Sequence, residues 1–270
     1  RGAFFIPDTL ANLIIGATLP WNEKVRAATE SLELPFALDG IFPEDYKAVT
    51  DTAEASHDLK SLASLSRSAT VTVSLFAPET GSPSLLSIFS LDKEISISHA
   101  TPVLENVGLE VLSAYSYECG GPLGTTHLLK LSIRPYDGEA LSAENFNAAV
   151  APGLSKVLQG EAANDALNAL LRKAPLTIRQ VGLLRGYCAL LWQVHKMSTK
   201  RTMWEALAGA PHVATQLCRI FDWKFNPDHK ISLEERGRRA SLEESVLIEA
   251  LRQVPDLSLI HISEPTRPER

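Results

Sequence analysis

"TVTVSLF", residues 70–76, is where the chain changes period, and its reading decides the fold. Val71, Val73 and Leu75 point one way; Thr70, Thr72 and Ser74 point the other. A two-residue repeat of apolar and hydroxyl side chains predicts a half-buried strand, and the β-branched residues favour it. Everything upstream repeats at helical spacing instead. In "WNEKVRAATESL" the apolar positions Trp21, Val25, Ala28 and Leu32 share one helix face. "FPEDYKAVTDTAEASHDLKSLASL" follows, with Pro43 in a first turn and Glu44 and Asp45 near the positive helix end. A second helix from about Thr52 to Leu65 turns Leu59, Leu62 and Leu65 inward. Residues 4–19 read as a helix capped by Asp8, with Leu10, Leu13 and Ile14 inward.

Downstream of the strand, "SHATPVLENVG" predicts a helix with Ser98 as N-cap, ended by Gly108. "LEVLSAYSYE" and "THLLKLSIR" are strands joined by the turn "CGGPLG". "SAENFNAAVAPGLSKVLQG" is a helix capped by Ser142 and kinked by Pro152. The order βαββα is most of a ferredoxin-like unit. From Glu161 onward the pattern is helical throughout. In "TIRQVGLLRGYCALLWQVHKM" a stripe of Ile178, Val181, Leu184, Cys188, Leu191 and His195 is flanked by Leu183, Tyr187, Leu190 and Val194. A stripe that wide predicts a central, buried helix. The expected class is therefore α+β, with a mostly helical C-terminal half.

With 270 residues, 45% of them hydrophobic and 21% charged, the chain has ordinary globular composition and length enough for a core. Its net charge of −6 offers no basic face for nucleic acid. Pro7 and Asp8 interrupt the apolar run at 4–19, and Arg179 and Arg185 break the most apolar helix, so no membrane span is expected. Cys119, Cys188 and Cys218 are an odd number without a CxxC spacing, which predicts buried, reduced thiols in a cytoplasmic protein.

The sequence carries no GxGxxG after a strand, no GxxxxGK[ST], no HExxH and no GxSxG. "GGPLG" joins two strands, so it reads as a hairpin turn and not a phosphate loop. His195 and Cys188, seven apart on one helix, are too distant for one metal. "RRAS", 238–241, reads as part of a solvated helix face. No pair of carboxylates is expected in apolar surroundings that would shift its pKa values. No residue is assigned a catalytic, cofactor-binding or metal-binding role.

Several stretches, in order, resemble the non-catalytic region of the large bacterial NAD-dependent glutamate dehydrogenases. Phe42-Pro43 with Tyr46, followed by Ala55, Asp58 and Leu59, resembles that family's Phe-Pro-x-x-Tyr and Ala-x-x-Asp-Ile/Leu pattern. "PVLENVGLEVL", 102–112, resembles its Pro-x-Leu-Glu-Asn-x-Gly-Leu-x-Val signature. "NDALNALL", the helix around Leu184-Arg185, "FDWKFNP" and "SLEESVLIEALRQV" match later elements. Leu167 and Lys224 stand where the family often has Phe and Arg, and "AYSY" and Thr126-His127-Leu128 also depart from its pattern.

The resemblance implies an ACT-like unit at 67–160, between a helical segment at 1–66 and a helical domain at 161–256. It implies a regulatory or scaffolding role in an enzyme that oxidises L-glutamate to 2-oxoglutarate. NAD would be used by the full-length enzyme and not bound by this part. The partners implied are the catalytic domain on the same polypeptide, further copies in a homo-oligomer, and an amino-acid effector. A free-standing ACT-like sensor with a helical adaptor is the alternative. Two features suggest an incomplete piece. The chain starts at Arg1 without Met, and "LSLIHISEPTR", 257–267, coincides in frame with a translated transposase sequencing adapter. Residues 257–270 are thus expected to be a non-native tail.

Overall fold

The structure is a computed structural model that describes residues 20–29, 34, 38, 40–77, 83–121, 123–194 and 199–252. The expected helix at 4–19, His195 and the tail at 257–270 lie outside the described residues. The elements run α1 (Trp21–Ala28), α2 (Glu44–Val49), α3 (Thr52–Ala63), β1 (Val71–Phe76), β2 (Ser84–Leu91), α4 (Ile97–Val107), β3 (Leu109–Cys119) and β4 (Thr126–Pro135). They continue with α5 (Ala143–Asn145), a π-turn (Phe146–Val150), α6 (Ala151–Leu158), a 3-10 turn (Ala166–Ala169) and α7 (Leu170–Lys173). Last come α8 (Ile178–Val194), α9 (Lys200–Gly209), α10 (Pro211–Phe225) and α11 (Leu233–Arg252). The class is α+β. The chain forms two units: residues up to Ile97 with Leu112–Ile133, and Ser98–Val111 with Arg134 onward.

The first unit holds the sheet, in the order β1-β2-β4-β3. β1 and β2 are antiparallel with Ser74 opposite Ser87; β2 and β4 are antiparallel with Ser87 opposite Lys130. β2 is a strand the sequence reading omits, so the order is ββαββα and not βαββα. Its sequence, SLLSIFSL, mixes leucine and serine on both faces, and six of its eight residues are buried. Burial on both sides removes the polar/apolar alternation that marks a strand. On β1 the apolar face is buried at Val71, Val73 and Leu75, and the polar face is covered at Ser74 while Thr72 stays half-buried. The Oγ of Ser61 donates to the Oγ of Ser74 at 2.7 Å, so α3 covers the face that was expected to meet water.

Helix α3 is placed by Asp51, whose side chain accepts from the Glu54 N–H at 2.9 Å as an N-cap. Pro43 is the N-cap residue of α2, one position before the expected first turn. Leu59, Leu62 and Leu65 face inward with Phe89 and Leu128 of the sheet. Beside them, Tyr46 stacks on Phe42 at 4.2 Å, and Trp21 meets both edge-on. The β3–β4 connection is the expected turn. Gly120 donates its N–H to the Ile41 carbonyl at 2.8 Å, and a Cβ there would stand 3.0 Å from the Gly40 oxygen. Backbone packs so closely at that point that only glycine fits without a shift.

In the second unit, α4 begins at Ile97, so Ser98 lies in its first turn. Ser142 caps α5, its hydroxyl accepting from the Asn145 N–H. The expected kink at Pro152 takes the form of the π-turn just before it. Proline has no N–H to give and crowds the carbonyl four residues back, and a widened turn relieves both. Thr177 and Gln180 form a capping box ahead of α8: the Gln180 side chain accepts from the Thr177 N–H at 2.9 Å. α8 packs against α6, α7, α9 and α10. It buries Val181, Leu184 and Cys188 only. Tyr187, Leu190 and Val194 are exposed, so α8 is not buried all round as its composition predicts.

Candidate functional site: a buried charge cluster and its cleft

The most unusual chemistry lies beneath α3. Asp58 is fully buried. Its Oδ2 accepts from the Tyr46 hydroxyl and from the Lys130 ammonium, each at 2.6 Å. Its Oδ1 accepts from the Ser87 hydroxyl at 2.6 Å, and His57 Nδ1 lies 3.9 Å away. Lys130, itself buried, is also ion-paired with Glu54 and sits over the Tyr46 ring at 4.8 Å. Glu54 and Asp58 are four apart on one helix, hence on one face. This overturns the expectation that no carboxylate pair sits in apolar surroundings.

Burial pushes the Asp58 carboxyl up, but His57, Lys130 and Ser87 outweigh it and hold the group below the usual carboxylate range. Glu54 is raised, burial outweighing its pairing with Lys130. Burial first, then the charge of Asp58, drives the Tyr46 phenol far above its ordinary value. The cluster holds two carboxylates against one ammonium.

A cleft of about 450 Å³ opens onto Glu54 and Lys130. Its walls include Tyr115, Tyr117, Leu85 and Val49, with the Ser113 and Ser132 hydroxyls and Asp45 among the lining groups. Tyr115 is 62% exposed and Tyr117 only 8%. These side chains reach the cleft from α2, α3, β2, β3 and β4.

The second unit has a clamp and a groove. Asp165 caps the 3-10 turn, accepting from the Leu167 N–H, and its carboxylate also takes the Arg185 guanidinium at 2.6 and 3.0 Å. Arg185 donates as well to Asn168 Oδ1 at 3.2 Å, which ties α8 to that turn. Beyond it, Tyr187, Leu190, Val194, Phe221 and Phe225 line an apolar groove of about 540 Å³ between α8 and α10. Among the described residues, no group of three or more His, Cys, Asp or Glu side chains could hold a metal ion, and no helix is long and apolar enough to cross a membrane.

Two protein-family models match this chain. The glutamate dehydrogenase ACT3 domain covers residues 70–145, and glutamate dehydrogenase helical motif 3 covers 162–227. The chain belongs to the glutamate dehydrogenase family. It is 26% identical over 221 residues to the NAD-specific glutamate dehydrogenase of Halomonas elongata, and 27% identical over 210 residues to that of Pseudomonas aeruginosa. Those alignments cover 80% and 76% of this chain but 13% of each relative.

The motifs that carry the family resemblance prove to be mutual partners. Tyr46 of Phe-Pro-x-x-Tyr donates to Asp58 of Ala-x-x-Asp-Leu. Asp165 and Asn168 of the Asn-Asp segment hold Arg185 of the following helix. Each pair fixes one element against another, a structural role. The relatives are named as NAD-specific enzymes. The strand-to-helix passages at 92–96 and 136–142 contain only Gly138 between them, not the glycine-rich turn that lets a pyrophosphate approach the backbone.

Proposed function

We propose that this chain is a regulatory and scaffolding part of a cytoplasmic, homo-oligomeric NAD-dependent glutamate dehydrogenase, with the NAD-binding and catalytic residues elsewhere on the polypeptide. The observation that carries this reading is the ordered pair of family matches, ACT3 domain then helical motif 3, on a chain aligned to 13% of two NAD-specific enzymes. Residues 67–160 would be the ACT-like domain and 161–256 the helical one, with 257–270 a non-native tail. The exposed apolar groove of α8 and α10 supports the scaffolding half. An apolar face of the remaining polypeptide would cover it in the longer enzyme.

The decisive experiment is to sequence the source gene beyond the codon for Asp256. A reading frame that continues into a glycine-rich dinucleotide fold with a catalytic lysine is expected. A natural stop codon at that point would overturn the proposal in favour of a free-standing sensor.

A further inference from the structure

We infer that the cleft beside Glu54 binds a small organic cation, a primary alkylammonium compound seated with its ammonium on Glu54 and its carbon chain against Tyr115 and Tyr117. Lys130 is shared between Asp58 and Glu54, which takes two of its three donors and balances its single charge, and the ammonium lies over the Tyr46 ring. Asp58 is satisfied on both oxygens. Glu54 is paired through Oε1 alone, and its second oxygen has no partner among the described residues. The cleft is thus left with an excess of one negative charge at its floor, and Asp45 adds another at its lining.

A desolvated carboxylate of this kind gains more from a cation than one in open water does. Two tyrosines on the wall suit an ammonium and its methylenes alike, through the ring face and through apolar contact. At about 450 Å³ the cleft is within the usual range for a small-molecule site. A carboxylate-bearing molecule of the same shape meets like charge, and a neutral one leaves the second Glu54 oxygen without a cation. The binding is read on this chain alone, so it stands or falls apart from the enzyme it serves.

The test is calorimetric titration of the whole chain with n-butylammonium chloride, and with sodium butyrate and n-butanol at matched ionic strength. Saturable binding of butylammonium alone is expected, weakened about tenfold or more by Glu54→Gln through loss of a charge-assisted hydrogen bond. Tyr115→Ala, at an exposed wall position that carries no fold, should weaken it severalfold. Absence of saturable binding to the wild type would overturn the inference. So would equal binding of butyrate or butanol, or unchanged affinity in both variants.

Discussion

Asp58 and Lys130 lie seventy-two residues apart in the chain and meet at 2.6 Å with Asp58 wholly shielded from water. The pair pins α3 to β4 across the covered face of the sheet. A buried pair of this kind is costly to break from one side only, because the survivor keeps its charge and loses its partner. Lys130→Met should therefore destabilise the chain by about 3–5 kcal/mol in urea unfolding. Adding Asp58→Leu should recover a large share of that loss. Additive losses in the double variant would show that the two residues do not act as a pair.

The same cluster makes two opposite contributions to pH dependence. The Asp58 carboxyl is depressed, so its stabilisation is full above the ordinary aspartate range, about 3.9, and is lost as pH falls through its lower folded value. The Glu54 carboxyl is raised, so stability declines as pH climbs from the ordinary glutamate range, about 4.3, through its higher folded value. Glu54→Gln removes only the second effect. Relative to that variant, the wild type should lose stability with rising pH just above the glutamate range. Parallel stability curves would contradict this assignment.

Leu184 and Leu190 are close in sequence and opposite in circumstance, the first fully buried and the second 57% exposed. Leu184→Asp should cost several kcal/mol by placing an unpaired carboxylate among α6, α7, α9 and α10. Leu190→Gln should change stability by no more than about 0.5 kcal/mol. Thermal melts of the two variants decide it, and equal losses would mean that the exposed face of α8 is covered in solution.

Asp165 has two duties, as the cap of the 3-10 turn and as the partner of Arg185. Asp165→Ala should cost about 3 kcal/mol, roughly 1 from the cap and the rest from the charged hydrogen bonds. Asp165→Asn keeps an oxygen for the cap and should lose less. Urea unfolding that fails to separate the two variants would leave the cap without weight.

How far the sequence reveals this fold depends on how each element is buried. β1, β3 and β4 and most of the helices follow from their period. β2 does not, because serine and leucine alternate out of step on its two buried faces and no one-sided pattern survives. α8 fails in the other direction. Its wide apolar stripe marks surface that wants cover, and a periodicity carries no information on whether that cover belongs to the same unit. The charge cluster left a faint trace. Glu54 and Asp58 continue the inward face of Leu62, and Lys130 lies on the same strand face as Leu128. Each looks like an ordinary charged residue until the two faces are brought together, which needs the pairing of elements seventy-two residues apart.

The three buried cysteines turn the two units into separately readable parts. Burial lifts the Cys119 thiol to about 12, and Cys188 and Cys218 to about 11 each. In mildly alkaline buffer, native thiols so shifted and so shielded are poor nucleophiles, whereas the same residues in opened chain have ordinary reactivity. Cys119 belongs to the first unit; Cys188 and Cys218 belong to the second. Alkylation followed by mass mapping would therefore time the opening of each unit on its own clock, with no dye or added label site. Whether the molecule opens as one cooperative body or as two is written into which sulfur is caught first.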